Sequence, residues 1–270
     1  RRGRRDRGLV GSGRGGIARG CAVVARAGVV TVETVDAPSG PLRFVRFASP
    51  PNRLGHCGPV ASEGVGQYLH APIDGGFAEL AAQFEGAYPY LQLLAGAAHR
   101  DDPLDADVVE AYWIGNDLLD RVSVLDFGNS IDARFRRRAG SAWSRIDASV
   151  PAGVAHHRYH VLHVTPWTGL MRSGVVDEPL RIVDQCCVSW AHVVDTGNGT
   201  PLVRRRPLVW TGSRLRFGEP VVEQVSSPID VRVGDWVALH WGTVCERLSA
   251  DQLGWLRRTT LDQLTTFAAG

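Results

Sequence analysis

Alternating apolar residues open the readable part of the chain. Val30, Val32 and Val35, then Leu42, Phe44 and Phe47, recur at strand-like spacing over residues 21–47 and predict one or two β-strands. Pro50-Pro51-Asn52 marks a break. From residue 59 to about 122 the period changes to three and four. Phe77, Leu80, Ala81 and Phe84 share one helical face, as do Leu91, Leu94 and Ala98, with Pro89 splitting the two segments. A third helix is predicted to begin near Pro103 with Asp102 as its N-cap. Its buried stripe is Val108, Val109, Tyr112, Leu119 and Val122, while Asp107, Glu110, Asp117 and Asp120 face water.

The run Arg134–Ser141 reads as a linker. Beyond it, short apolar or alternating runs predict strands at Tyr159–Val164, Leu180–Val183, Val188–Val194, Leu202–Val203, Leu208–Trp210 and Val231–Leu239. Thr196–Gly199 and Thr211–Ser213 supply hairpin turns. A final helix takes Ser249 as N-cap, with Leu253, Leu256, Leu261 and Leu264 inward and Arg257-Arg258 exposed. Short strands at this spacing favour a small barrel over a sandwich. The pattern is therefore α+β. Residues 1–45 form a basic tail with strand-like segments, 46–135 a helical domain, and 145–270 a β-rich barrel domain with a C-terminal helix.

Composition narrows the picture. The 270 residues are 44% hydrophobic and 21% charged, as in ordinary globular proteins. No apolar run approaches the ~18 residues of a membrane helix. The opening RRGRRDRG has the arginine pair of an export signal, but Arg14, Arg19 and Arg26 interrupt the apolar segment such a signal needs. The expected location is cytoplasmic, with no membrane partner. Every one of the 30 Lys+Arg residues is arginine. That excludes a Schiff-base lysine, a lysine nucleophile and a lysine-bearing phosphate loop. Arginine stays protonated, so histidine is the one basic side chain able to accept a proton. Eight arginines against Asp6 give residues 1–30 a local +7, and the remainder is acidic, which argues against a nucleic-acid partner. Gly11-Ser-Gly13-Arg-Gly-Gly16 fits G-x-G-x-x-G, but lacks the strand before it and the helix after it.

Cysteine and histidine remain as reactive side chains. The five cysteines contain no C-x-x-C pair, so a zinc ribbon is not expected. Cys57 in Asn52–Pro59 is read as opening a helix, where the macrodipole would favour thiolate. Cys57-Gly58-Pro59 is similar to the nucleophile turn of papain-like cysteine peptidases. A base would come from His156, His157, His160 or His163. If that segment is a strand, His157 and His163 share one face, and His156 and His160 the other. Cys57 with His157 or His160 would make a cysteine hydrolase or acyltransferase. Simple helix capping explains the same string. A metal at the four histidines would need further carboxylates or cysteines. Glu85, Glu110 and Asp117 suit solvated or capping positions, and Tyr88, Tyr90, Tyr112 and Trp113 suit a core between helices.

The segment Val233-Gly-Asp-Trp-Val-Ala-Leu-His240-Trp-Gly242 resembles the V-G-[DQ]-[YW]-V-L-V-H-x-G strand of the HypC-type nickel–iron hydrogenase assembly chaperones. The resemblance continues into Ser249–Leu264. It also reaches back to Cys186-Cys187-Val-Ser-Trp190-Ala191, with Cys186 54 residues before His240. It implies a small OB-like β-barrel with a C-terminal helix. It also implies that a cysteine and the strand histidine, here Cys186 and His240, carry an iron–dicyanide–carbonyl unit to the hydrogenase large subunit. The family's cysteine opens its chain and is followed by Pro-Gly; here it is internal and Trp190-Ala191 takes that place, so Cys187 is the alternative equivalent. Low-spin Fe(II) with strong-field ligands suits a thiolate plus an imidazole, and two protein ligands suffice for a departing cargo. Phe84–Leu91 and Val109–Asn116 are similar to an uncharacterised bacterial family found among hydrogenase genes, over residues 46–267. The expectation is an accessory or maturation protein for nickel–iron hydrogenase, a chaperone or scaffold rather than an enzyme. Its partners would be the large subunit or maturation proteins. A metal-free protein-binding module is the third reading.

Overall fold

Helix α1 (Gly40–Arg53) stands where the sequence suggested a strand. Phe44, Phe47, Ala48 and Pro51 also recur at i, i+3, i+4 and i+7, and a helix buried on most sides satisfies both periods. Ser39 caps it, accepting from the Leu42 amide at 3.4 Å. Pro50 and Pro51 lie inside its last turns instead of ending it. The computed structural model describes residues 37–59 and 64–269, and the strand-like pattern before Asp36 and the arginine-rich tail lie outside them.

Sharing one core with α1 are α2 (Phe77–Ala82), α3 (Tyr88–Ala97), which Pro89 opens, and α4 (Ala106–Trp113). Helix α4 starts later than predicted. Asp105 is its cap, and Asp102 instead holds the Leu104 amide in the preceding turn at 2.8 Å. Glu110 does not simply face water, because Arg43 lies 3.0 Å away. Helix α5 (Val124–Ala139) absorbs Arg134–Arg138, so this run is helical and not a linker. The Arg134 guanidinium sits 4.1 Å over the Tyr90 ring.

Four short helices follow: α6 (Trp143–Ser149), α7 (His157–Tyr159) widening into a π-turn at His160–Val164, α8 (Trp167–Arg172) and α9 (Asp177–Cys186). Two predicted strands, Tyr159–Val164 and Leu180–Val183, are therefore helical. Apolar runs this short fit a buried helical turn as well as a strand.

The strands are β1 (Ser189–Asp195), β2 (Leu202–Arg205), β3 (Leu208–Trp210), β4 (Leu215–Phe217), β5 (Val221–Gln224), β6 (Trp236–His240) and β7 (Thr243–Arg247). Five form an antiparallel sheet in the order β5-β2-β1-β6-β7, and β3-β4 make a separate ribbon. The expected barrel is not closed. Beyond β5 a bridge from Ser226 to Thr243 reaches β7, and among the described residues no ladder joins the two edges. One sheet face buries Ala191, Val193, Val203, Val237, Leu239 and Val244 in a core of its own. From the other face, Ala238 and Cys245 join the helical core.

Helix α10 (Ala250–Ala269) closes the described chain. The Ser249 Oγ accepts from the Gln252 amide at 3.2 Å, and the Gln252 side chain returns to the Ser249 amide at 3.0 Å, a reciprocal capping box. Leu253, Leu256 and Leu264 are buried, but Leu261 points outward, contrary to expectation. The inward stripe runs through Thr260, Gln263 and Leu264 instead. Among the described residues no helix is long and apolar enough to cross a membrane.

Candidate metal centre

His240 ends β6 on the same side as Ala238, two residues earlier, and so faces the helical core. Behind it Trp241 and Gly242 both adopt left-handed backbone (φ 50° and 64°) in the two-residue turn to β7. Tryptophan is strained there. The Trp241 amide donates to the Gln185 carbonyl at 3.0 Å, which ties this turn to the end of α9.

The orientation of the His240 ring comes from α1. Its Nδ1 lies 2.7 Å from the Phe47 carbonyl oxygen. In an unbroken helix that oxygen would accept from residue 51, but Pro51 has no N–H. A carbonyl only accepts, so Nδ1 carries the proton and Nε2 is left with a bare lone pair. Nε2 is buried and has no hydrogen-bond partner.

His157 is fixed by a relay. The Tyr112 hydroxyl donates to the Gly86 carbonyl at 2.8 Å and lies 3.0 Å from His157 Nδ1. With its one proton committed to Gly86, the phenol oxygen can accept from Nδ1–H, the tautomer that leaves Nε2 of His157 able to ligate. The other tautomer would donate Nε2–H to the Cys186 carbonyl, 3.1 Å away, and strip Gly86 of its donor. His157 Nε2 stands 3.7 Å from the Sγ of Cys186, the last residue of α9.

The ligand atoms of His157, Cys186 and His240 all lie within 4.8 Å of one another. Bonds of about 2.0–2.1 Å to nitrogen and 2.3 Å to sulfur at a tetrahedral angle put N and S about 3.6 Å apart. The cluster is thus close to the size of one ion. Burial draws His240 down to about 4, against the Phe47 and Cys186 carbonyls, and holds His157 well below the usual histidine range. Both rings are neutral, the ligating form. Burial also raises the Cys186 thiol, so a metal must displace its proton. Trp113 walls the site, its ring 4.5 Å from that of His157 and 5.4 Å from that of His240.

The remaining sequence candidates fall elsewhere. Cys187 packs in a second core with Val161, Leu162 and Val183, so Cys186 is the cysteine that meets His240. Cys57 follows α1 and does not open a helix; burial pushes its thiol up to about 12, the reverse of the expected activation. His160 Nδ1 contacts the Tyr90 hydroxyl at 3.4 Å, and its ring packs on Phe135. His156 caps α7, accepting from the Arg158 amide at 3.1 Å. His163 stacks on Tyr159 beside a cavity of about 600 Å³ shared with Arg145 and Arg172. His157, paired on sequence grounds with Cys57, stands with Cys186 and His240. Sequence reasoning missed Tyr112 as more than core, and missed that a proline inside a helix frees a carbonyl.

The chain belongs to a family of unknown function (DUF6390), whose model matches residues 36–269. No curated protein and no solved structure is significantly similar to it.

Proposed function

We propose that this protein is a metal-carrying accessory factor whose cargo is the iron–dicyanide–carbonyl unit of nickel–iron hydrogenase assembly. The observation that carries the reading is the meeting of the Cys186 thiol with two buried imidazoles, their ligand atoms all within 4.8 Å of one another. A soft thiolate with imidazole nitrogens suits low-spin Fe(II). The charge balance also suits it. Two cyanides cancel the charge of Fe(II), so the bound thiolate leaves −1. The buried Arg158 guanidinium, which donates to the Val188 carbonyl and draws the Cys186 thiol downward, supplies the counter-charge. The hydrogenase assignment itself rests on the likeness of Val233–Gly242 and Cys186 to HypC-type chaperones. The cysteine-hydrolase reading loses support because Cys57 sits at no helix start and its thiol is held neutral.

The test is anaerobic co-expression with the hydrogenase maturation proteins, followed by infrared spectroscopy of the purified chain. Cyanide and carbonyl stretches are expected, and Cys186→Ser and His240→Ala should remove them. A chain that carries metal without those stretches would refute the hydrogenase cargo. A chain that binds no metal would refute the carrier.

A further inference from the structure

A cavity of about 600 Å³ lies between α6, the π-turn, α8 and the end of α10. Helix α6 presents Ser144, Arg145 and Ala148 to it, and α8 presents Arg172. The π-turn adds Leu162 and His163, and α10 adds Phe267. That turn is widened by the Thr165 amide donating to the His160 carbonyl at 3.1 Å, a geometry that gathers at functional sites. The volume falls within the range of about 300–1,000 Å³ that holds a small molecule.

Charge in the cavity is one-sided. Arg145 and Arg172 line it, and no Asp or Glu does. The Arg145 guanidinium lies against Gly169, where a Cβ would stand 3.4 Å from one of its terminal nitrogens, and so sits beside the helix that carries Arg172. Arg172 is steered by Phe267, donating to its carbonyl at 3.0 Å with the guanidinium 4.5 Å over the ring. That contact takes one of the five donors of a guanidinium. Between the two cations, the His163 Nε2 is buried and has no hydrogen-bond partner, where buried polar atoms ordinarily find one. Burial, and then the charges of Arg172 and Arg145, draw His163 down to about 4, so the imidazole is neutral. Gathered cations raise the local concentration of anions. Ala148, Leu162 and Phe267 offer an apolar wall to the rest of a ligand.

We propose that this cavity binds a small organic anion, a carboxylate or phosphate monoester with a short apolar body. Arg145 and Arg172 clamp the anionic head, since a guanidinium fork matches either group. His163 donates from Nε2 in the tautomer protonated there, and the apolar body lies along Leu162 and Phe267. The site shares no residue with the metal centre, so the two stand or fall separately.

Isothermal titration of the full-length chain with hexanoate, hexyl phosphate and hexanol, and with the bare heads acetate and inorganic phosphate, tests this. One or both hexyl anions should bind, and the tighter one identifies the head group. Hexanol and the bare heads should bind at least roughly 10-fold more weakly. Hexanol binding as tightly as the hexyl anions would overturn the clamp, and a bare head binding as tightly as its hexyl form would overturn the apolar wall. Both arginines keep part of their surface in solvent, so their replacement leaves the core intact. Arg145→Gln and Arg172→Gln should each weaken the tighter anion by roughly 10-fold. Unchanged affinity in either variant, or a wild type that binds neither hexyl anion, would overturn the site.

Discussion

Arg43 shows how single residues hold the frame on which the ligands sit. It is 2% exposed and makes a two-pronged pair with Glu246, both contacts 2.8 Å, while Glu110 and the Ala106 carbonyl take its remaining donors. Helices α1 and α4 are thereby pinned to β7. Removing one partner of a buried pair strands the other, which typically costs about 3–5 kcal/mol. Glu246→Ala should fall near the low end, about 3 kcal/mol, because Glu110 keeps part of the charge paired. Urea denaturation measures this directly. Arg43→Met combined with Glu246→Leu should recover most of the loss, and a double variant as unstable as the single would show that the pair is not the cause.

Among the elements, the end of α1 matters most to the centre. Pro51 withholds the N–H that would otherwise pair with the Phe47 carbonyl, and His240 takes its place. Pro51→Ala should restore the intrahelical bond and loosen the imidazole. Metal affinity is expected to fall roughly 10-fold, the usual effect of losing a group that orients a ligand, with thermal stability unchanged or raised. Competition against a chromophoric chelator reads the affinity, and an unchanged value would refute the role given to the carbonyl. Legibility in the sequence also divides by element. The last helix was readable to its cap, because Ser249 and Gln252 state the capping box locally. The β1, β2 and β3 strands were readable in place and the last half of Val231–Leu239 as β6 (Trp236–His240), though not the openness of their sheet, which depends on pairings distant in sequence. Helix α1 and the histidine segment were misread because short buried runs satisfy two periods at once. That error carried into the site. Period two separates His157 from His160, whereas helical geometry sets them one turn apart and sends His157 towards Cys186. The meeting of Cys186 and His240 was reached through family resemblance; periodicity alone says nothing of it.

Taken whole, the molecule buries an unusual set of neutral bases. His156 is drawn down to about 3, and His160, His163 and His240 to about 4, in each case first by burial. Unfolded, each would titrate near 6.5. The folded form therefore holds fewer protons, and stability is fully present above about 6.5 and lost as pH falls from there towards 4. Each such histidine contributes up to about 1.4 kcal/mol of loss per pH unit within that window. The urea midpoint of the metal-free protein should drop steeply between pH 7.5 and pH 5, and a flat profile would contradict the burial of neutral imidazoles. Bound metal should flatten the profile, since an ion on His157 and His240 competes with their protons.

The wide separation of the three ligands along the polypeptide also sets an order of events. His157, Cys186 and His240 come from a helix start, a helix end and a strand end, and no contiguous stretch shorter than 157–240 contains them all. A chain still being synthesised has nothing to grip an ion with until β6 has emerged and settled against α1. An ion held by all three would therefore report that strand β6 and helix α9 have reached their places beside α7.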